Sequence, residues 1–298
     1  MNKEQYYNYS HIDQVDFVSF DIETTGLLDT DIITTFTLFH ENTYQIWLNL
    51  NGDTVEKEEI QQKVIDTSEL DVRIHPQNTE QELINSIRKY ISDEIELRTT
   101  ILTAYNGETW KGGFDISFIR SRCLSNTVEF PFKDVAYTDI MPIFSKKDRF
   151  NLSHISTNPN LNKLLNKDEV KEFIDYLGLD CNTSTTKKNM LSQIKQNGYT
   201  DKEVEEFCEN KNLEYPTENP KDLVGVFKRV SKLCDWNSKD IDPFGPTESE
   251  KAVSAYNNGE YIQLILHNLA DVHKTQRLIN MIVNSQSIPK KEYEPTFY

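Results

Sequence analysis

Cationic side chains are scarce in this sequence: 32 Lys and Arg stand against 48 Asp and Glu, for a formal charge of −16 over 298 residues. That balance argues against a surface that holds a polyanion by bulk electrostatics, so a nucleic-acid partner would need a local site. No apolar run approaches the ~20 residues that a membrane-spanning helix requires, and no membrane association is expected. Cysteine is sparse as well. Cys123, Cys181, Cys208 and Cys234 lie far apart with no C-x-x-C pair, and the opening MNKEQYYNYSHIDQ is too polar for a secretory signal. An intracellular, reducing, cytoplasmic setting is the expectation. Internal repeats and low-complexity tracts are missing too. What is present is ordinary for a globular chain, with 37% hydrophobic, 11% aromatic and 27% charged residues. The length suffices for one large domain, or one domain with an insert, and for an enclosed active site.

Hydrophobic periodicity supplies the elements. Residues 15–22 (VDFVSFDI) are β-branched and aromatic enough for a buried strand; 31–39 and 43–50 read as two more, joined by the turn HEN into an antiparallel meander. Within 79–97, Leu83, Ile84, Ile87, Tyr90, Ile91 and Ile95 recur at helical spacing behind the cap Thr79, with Glu82 three residues on. TILTAYN, 100–106, is a short strand, a helix opens at about Asp115, and a further strand falls near 134–140. Residues 259–283 form a long helix with its stripe on Ile262, Ile265, Leu266, Leu269, Val272 and Leu278. This order predicts an α/β protein with a mixed five-stranded sheet flanked by helices. Between the two portions of that core, 1–158 and 237–298, the stretch 159–236 is rich in Lys, Glu and Asn and lacks a convincing strand. It reads as an all-helical insertion.

The stretch VDFVSFDIETTGL places Asp21 and Glu23 one residue apart near the end of the first strand. Alternate strand residues share a face, so both carboxylates emerge together and repel one another. A cation between them relieves the repulsion, and hard oxygen ligands suit Mg²⁺ or Mn²⁺. Two further acids stand in apolar contexts: Asp115 at a helix start, and Asp271 on the last helix, four residues after His267. On a helix that spacing puts His267 and Asp271 on one face.

FDIETTGL, TAYNGETWKGGFDISFI and LILHNLADVHKT, in that order, resemble the three motifs of the DEDD, or DnaQ-like, 3′–5′ exonuclease superfamily. The resemblance covers roughly 1–150 and 240–298. It implies an RNase H-like fold with strand order 3-2-1-4-5, and Asp21, Glu23, Asp115 and Asp271 as ligands of two Mg²⁺ or Mn²⁺ ions. One cation would lower the pKa of water, and both would stabilise the charge that builds during phosphodiester hydrolysis. The family has either Tyr four residues before the last Asp or His five before; the HNLAD here departs from both and is most similar to YprB-like relatives. His267 is the base it implies. Thr24, Thr25, Gly26 and Leu27 correspond to the turn beneath the terminal nucleotide, with Gly26 allowing close backbone approach and Leu27 wedging against the last base. Asn106 matches a position that touches substrate, and Trp110 and Phe114 could stack on a base. In the insertion, the helix, linker and helix of 168–194 look like a SAP or HeH-type DNA-contacting module, which would make Lys187 and Lys188 phosphate contacts. The expected activity is a metal-dependent 3′–5′ exonuclease on single-stranded or frayed nucleic acid, with DNA ahead of RNA. The alternatives are an inactive nuclease-fold binding module and a structure-selective endonuclease.

Overall fold

Alternation along the first strand sets the layout. In β1 (Asp16–Thr24), Val18, Phe20 and Ile22 enter one apolar cluster, while Phe17 enters a second on the opposite face, which the period of two assigns also to Ser19, Asp21 and Glu23. The computed structural model describes residues 15–28, 30–97, 99–107, 113–133, 135–146, 161–197, 201–211, 213, 222–234, 236, 241–244, 249–285 and 296–297. β2 (Ile33–His40) and β3 (Thr43–Asn49) complete the anticipated meander, antiparallel to each other and to β1. In the HEN turn Glu41 and Asn42 both adopt positive φ, 49° and 62°, the primed turn geometry whose twist suits a two-residue hairpin.

Two elements then appear that hydrophobic periodicity did not predict, α1 (Lys57–Ser68) and β4 (Val72–Gln77), the latter parallel to β3. α2 (Glu80–Glu94) follows its anticipated cap, with the Thr79 side chain accepting from the Glu82 N–H. β5 (Thr100–Ala104) runs parallel to β1, α3 (Asp115–Asn126) crosses over, and β6 (Ala136–Asp139) runs parallel to β5. The two-residue β7 (Thr296–Phe297) pairs antiparallel with β6. The sheet is therefore mixed, in the order β4-β3-β2-β1-β5-β6-β7, and not the five-stranded 3-2-1-4-5 sheet of the expectation. β4 escaped notice because Arg73, His75 and Pro76 interrupt its apolar pattern. A proline is tolerable there, since at the sheet's edge a missing ladder donor costs little.

Helices cover both faces, giving three layers. α2 and α3 bury Leu83, Ile84, Ile87, Ile91, Ile116 and Ile119 against the Phe20 face. On the other face, α9 (Ser249–Asn257) and α10 (Tyr261–Ser285) pack with Val64 of α1 over Tyr44, Ile46, Leu48, Val72 and Ile74. α8 (Leu223–Cys234) joins the end of α10 over Phe17, Ile101 and Ala136. The rest of the helical stretch, α4 (Leu161–Leu164), α5 (Lys167–Tyr176), α6 (Lys187–Asn197) and α7 (Asp201–Asn210), has a separate core around Phe173, Met190, Ile194 and Phe207. Among the described residues no helix is long and apolar enough to cross a membrane.

One side chain fixes how α10 lies on the sheet. The β1–β2 ladder runs from Phe20 onward, and below it the Gln276 amide takes over: Nε2 donates to the Phe17 carbonyl, and Oε1 accepts from the Ser19 N–H, both at 3.0 Å. Ser19 Oγ also donates to the Val272 carbonyl at 3.2 Å. The side chain of α10 thereby completes backbone hydrogen bonds that would otherwise be buried and unmet.

Candidate active site

β1 pairs with β5 only through Ser19, and β5 ends at Ala104, so the second half of β1 overhangs the point where two parallel strands part. Crevices at the carboxyl ends of parallel strands are the usual ligand sites of open α/β sheets. Asp21 and Glu23 lie on that overhang. Asp115, the first residue of α3, is brought there by the turn after β5. Asn106 is left-handed at φ 68°, its carbonyl accepts from the Phe114 N–H at 3.0 Å, and the Gly107 carbonyl accepts from the Ile116 N–H at 3.2 Å. A Cβ on Gly107 would stand 2.8 Å from Ala104 Cβ, 2.9 Å from the Tyr137 hydroxyl and 3.1 Å from Asp115 Oδ2, so only glycine lets this carboxylate come in. Asp271 and His267 descend from α10, one turn apart on one face, beside the row of Asn268, Val272 and Gln276 that bonds β1.

The acids disturb one another. Burial pushes the Asp21 carboxyl well above the usual range, and Asp115, Glu23 and Asp271 push it further; only the Asn268 amide, donating to Asp21 Oδ2 at 2.7 Å, opposes them. Asp115 is raised as strongly by burial, then by Asp139, Glu23 and Asp271. Glu23 rises to about 7 through burial and the charges of Asp271 and Asp242, against the pull of His267. His267 Nε2 lies 3.6 Å from Glu23 Oε1, and Nδ1 lies 2.9 Å from Asp242 Oδ1. Burial disfavours its charge, yet the Asp242 hydrogen bond and the surrounding acids carry its pKa to about 9. Burial works against the Asp242 charge too, but His267, the Phe244 N–H and Lys274 hold it below the ordinary value. Lys274 Nζ stands 3.0 Å from Asp271 Oδ1 and 3.7 Å from Asp242 Oδ2.

Asp21, Glu23, Asp115, His267 and Asp271 thus act on one another's charge, from three elements. Among the described residues, however, no three or more His, Cys, Asp or Glu side chains stand close enough together to hold a metal ion. Their nearest partners are Asn268, His267 and Lys274 instead, as expected for like charges held apart. The donor set still suits a hard cation, being carboxylates and an amide. The side-chain carbonyl Oδ1 of Asn268, a fully buried residue hydrogen-bonded to Asp21, has no partner among the described residues. An unmet buried oxygen beside a repelling acid is what a cation would satisfy.

The turn after β1 is braced from within. Thr24 Oγ1 donates to the Gly26 carbonyl at 2.7 Å, and Asp31 accepts from Thr25 Oγ1 at 3.1 Å and from the Leu28 N–H at 2.7 Å. A Cβ on Gly26 would lie 2.5 Å from Asp31 Oδ2, so the space this glycine leaves is taken by Asp31. Leu27 is 79% exposed and Leu28 68%, both free to meet a ligand. The Asn106 backbone N–H donates to Asp139 Oδ1 at 3.0 Å, and its side chain is exposed. Phe114 packs on Phe118, ring centroids 4.9 Å apart. Trp110 lies outside the described residues. Lys187 and Lys188 begin α6, in the bundle with its own core.

Sequence reasoning missed Asp242, Lys274, Asn268 and Asp139. Lys274 and Asn268 carry a signal, because they lie three residues after and three residues before Asp271, positions that neighbour it on the surface of α10. Asp242 sits in the irregular stretch IDPF and carries none. No protein-family model matches the chain, and no curated protein matches it.

Proposed function

We propose that the protein is a divalent-metal-dependent 3′–5′ exonuclease, hydrolysing phosphodiester bonds of single-stranded or frayed nucleic acid, DNA ahead of RNA. The observation that carries this reading is the gathering of acids from β1, α3 and α10, with His267 Nε2 3.6 Å from Glu23 Oε1 and Asn268 bonded to Asp21 while its own buried Oδ1 has no partner among the described residues. Buried like charges destabilise a fold, and their assembly has a use where a cation or a transferring phosphoryl group is handled. The sheet order lends support: setting β4 and β7 aside, β3-β2-β1-β5-β6 follow the sequence that an RNase H-like core numbers 3-2-1-4-5.

Asp21, Glu23, Asp115 and Asp271 would hold Mg²⁺ or Mn²⁺. Bound there, such an ion would supply Lewis acidity toward the phosphoryl oxygens and the leaving 3′ oxygen. His267 is the base. Its Nδ1–H is committed to Asp242 at 2.9 Å, which leaves Nε2, turned toward Glu23, as the atom that takes the proton of the attacking water. The charges that hold His267 protonated include Glu23 and Asp271, the carboxylates a cation would neutralise. Leu27 and Leu28 would stack against the terminal base, on a turn kept rigid by Asp31. A 5′-labelled single strand incubated with the protein and Mn²⁺ should shorten stepwise. Retention of the strand without products would instead make this a binding module, and cleavage of circular single strands an endonuclease.

A further inference from the structure

Lys274 is only 5% exposed. Taking an ammonium out of water is costly unless its charge is matched on the spot. Its matches are Asp271 at 3.0 Å and Asp242 at 3.7 Å. Asp271 is one of the carboxylates assigned above to a cation, and it already has one. The arrangement is built into the helix, since positions i and i+3 share a face, and the Gln276 clamp two residues on prevents α10 from sliding or turning away.

The other end of the site differs. Asp21 is met by the neutral amide of Asn268, whose own Oδ1 is buried and without a partner among the described residues. Positive charge is supplied by the protein at Asp271, and an unmet oxygen and an unneutralised acid remain at Asp21. A doubly charged ion placed against Asp271 would face the Lys274 ammonium directly, whereas one placed at Asp21 meets carboxylates and the Asn268 side chain, the His267 ring lying 3.6 Å from Glu23 with its own charge met by Asp242 at 2.9 Å.

We propose that Lys274 is the resident counter-cation of Asp271, so that the site takes one divalent ion, on the Asp21, Glu23 and Asp115 side, and not two. This rests on the metal-dependent reading above. Lys274 would supply fixed positive charge where a second ion would otherwise sit, and the enzyme would depend on a single ion per turnover.

Electron paramagnetic resonance of the full-length protein titrated with Mn²⁺ tests the count directly. The expected result is one bound ion per chain with an uncoupled mononuclear spectrum, and a second ion with a spin-coupled signal in Lys274→Met and Lys274→Gln, each checked for folding by circular dichroism. Two ions in the unaltered protein would overturn the proposal and leave metal dependence intact, whatever the variants do. Variants that fold and still take one ion would overturn it as well. No Mn²⁺ bound by any of the proteins would remove the metal-dependent reading itself, and the proposal with it.

Discussion

Asp242 accepts from His267 Nδ1 at 2.9 Å, and through that bond decides which imidazole nitrogen faces Glu23. Asp242→Asn, which can present an amide donor to the ring and favour the other tautomer, should lower the turnover number on the order of 10²-fold with KM little changed. His267→Ala should cost as much or more, and combining the two should add little if they act as a unit. Replacing Asp21 by Asn and Glu23 by Gln should abolish turnover. The same double substitution should raise the thermal midpoint of the metal-free protein, most at alkaline pH, where two carboxyls whose ionisation is opposed by burial and by neighbouring acids are forced to carry charge. A midpoint that falls would mean that the carboxylates stabilise the fold. Asp21 and Glu23 were readable from period-two alternation, and His267 with Asp271 from one helical turn. Asp242 was not readable, because a residue brought in by an irregular loop has no period to betray where it points.

Turns and helix starts decide whether those residues meet. Gly107 lets the chain leave β5 and return at α3 with Asp115 inward, and a methyl there would press on Ala104 Cβ and the Tyr137 hydroxyl. Gly107→Ala should therefore reduce activity at least 10-fold and cost about 1–3 kcal/mol by overpacking, with an unchanged far-ultraviolet dichroism spectrum. Full activity would mean that the turn relaxes without moving Asp115. At this scale the sequence was legible where apolar residues recur cleanly, as in β1 to β3, α2 and α10. It was illegible for α1, whose described buried residues are only Val64 and Ser68, and for β4, where a proline and the polar side chains of Arg73 and His75 mask a strand that the edge position permits.

Over the whole molecule, His75 and His273 both sit near the sheet in places that refuse a proton. Burial, then Lys57 and Arg73, lowers His75 from 6.5 to about 4; burial, then Arg277 and Lys274, does the same to His273. Each also makes a hydrogen bond, His75 Nε2 with Gln45 Oε1 at 2.9 Å and His273 Nδ1 with the Tyr44 hydroxyl at 2.7 Å. Unfolding frees both to bind protons at ordinary affinity. Their contribution is therefore whole above pH 6.5 and is lost as pH falls toward 4. Glu23, raised to about 7, acts with the opposite sign, since the folded state binds its proton first as pH drops. Comparing the unaltered protein with a His75→Gln, His273→Gln variant separates the two. The variant should lose less of its thermal midpoint between about pH 7.5 and pH 4.5, and an equal loss would mean that other groups govern acid sensitivity.

The helical middle of the chain is two things under one composition. α4 to α7 shelter their own apolar side chains. α8 instead roofs Phe17, Ile101 and Ile279, and Arg277 of α10 lies over the rings of Trp236 and Phe227 at 4.5 and 5.7 Å. Trimming the chain back to its sheet would have to spare α8, because its loss bares a greasy strip along α10 that would find a substitute in another molecule and make the fragment self-associate.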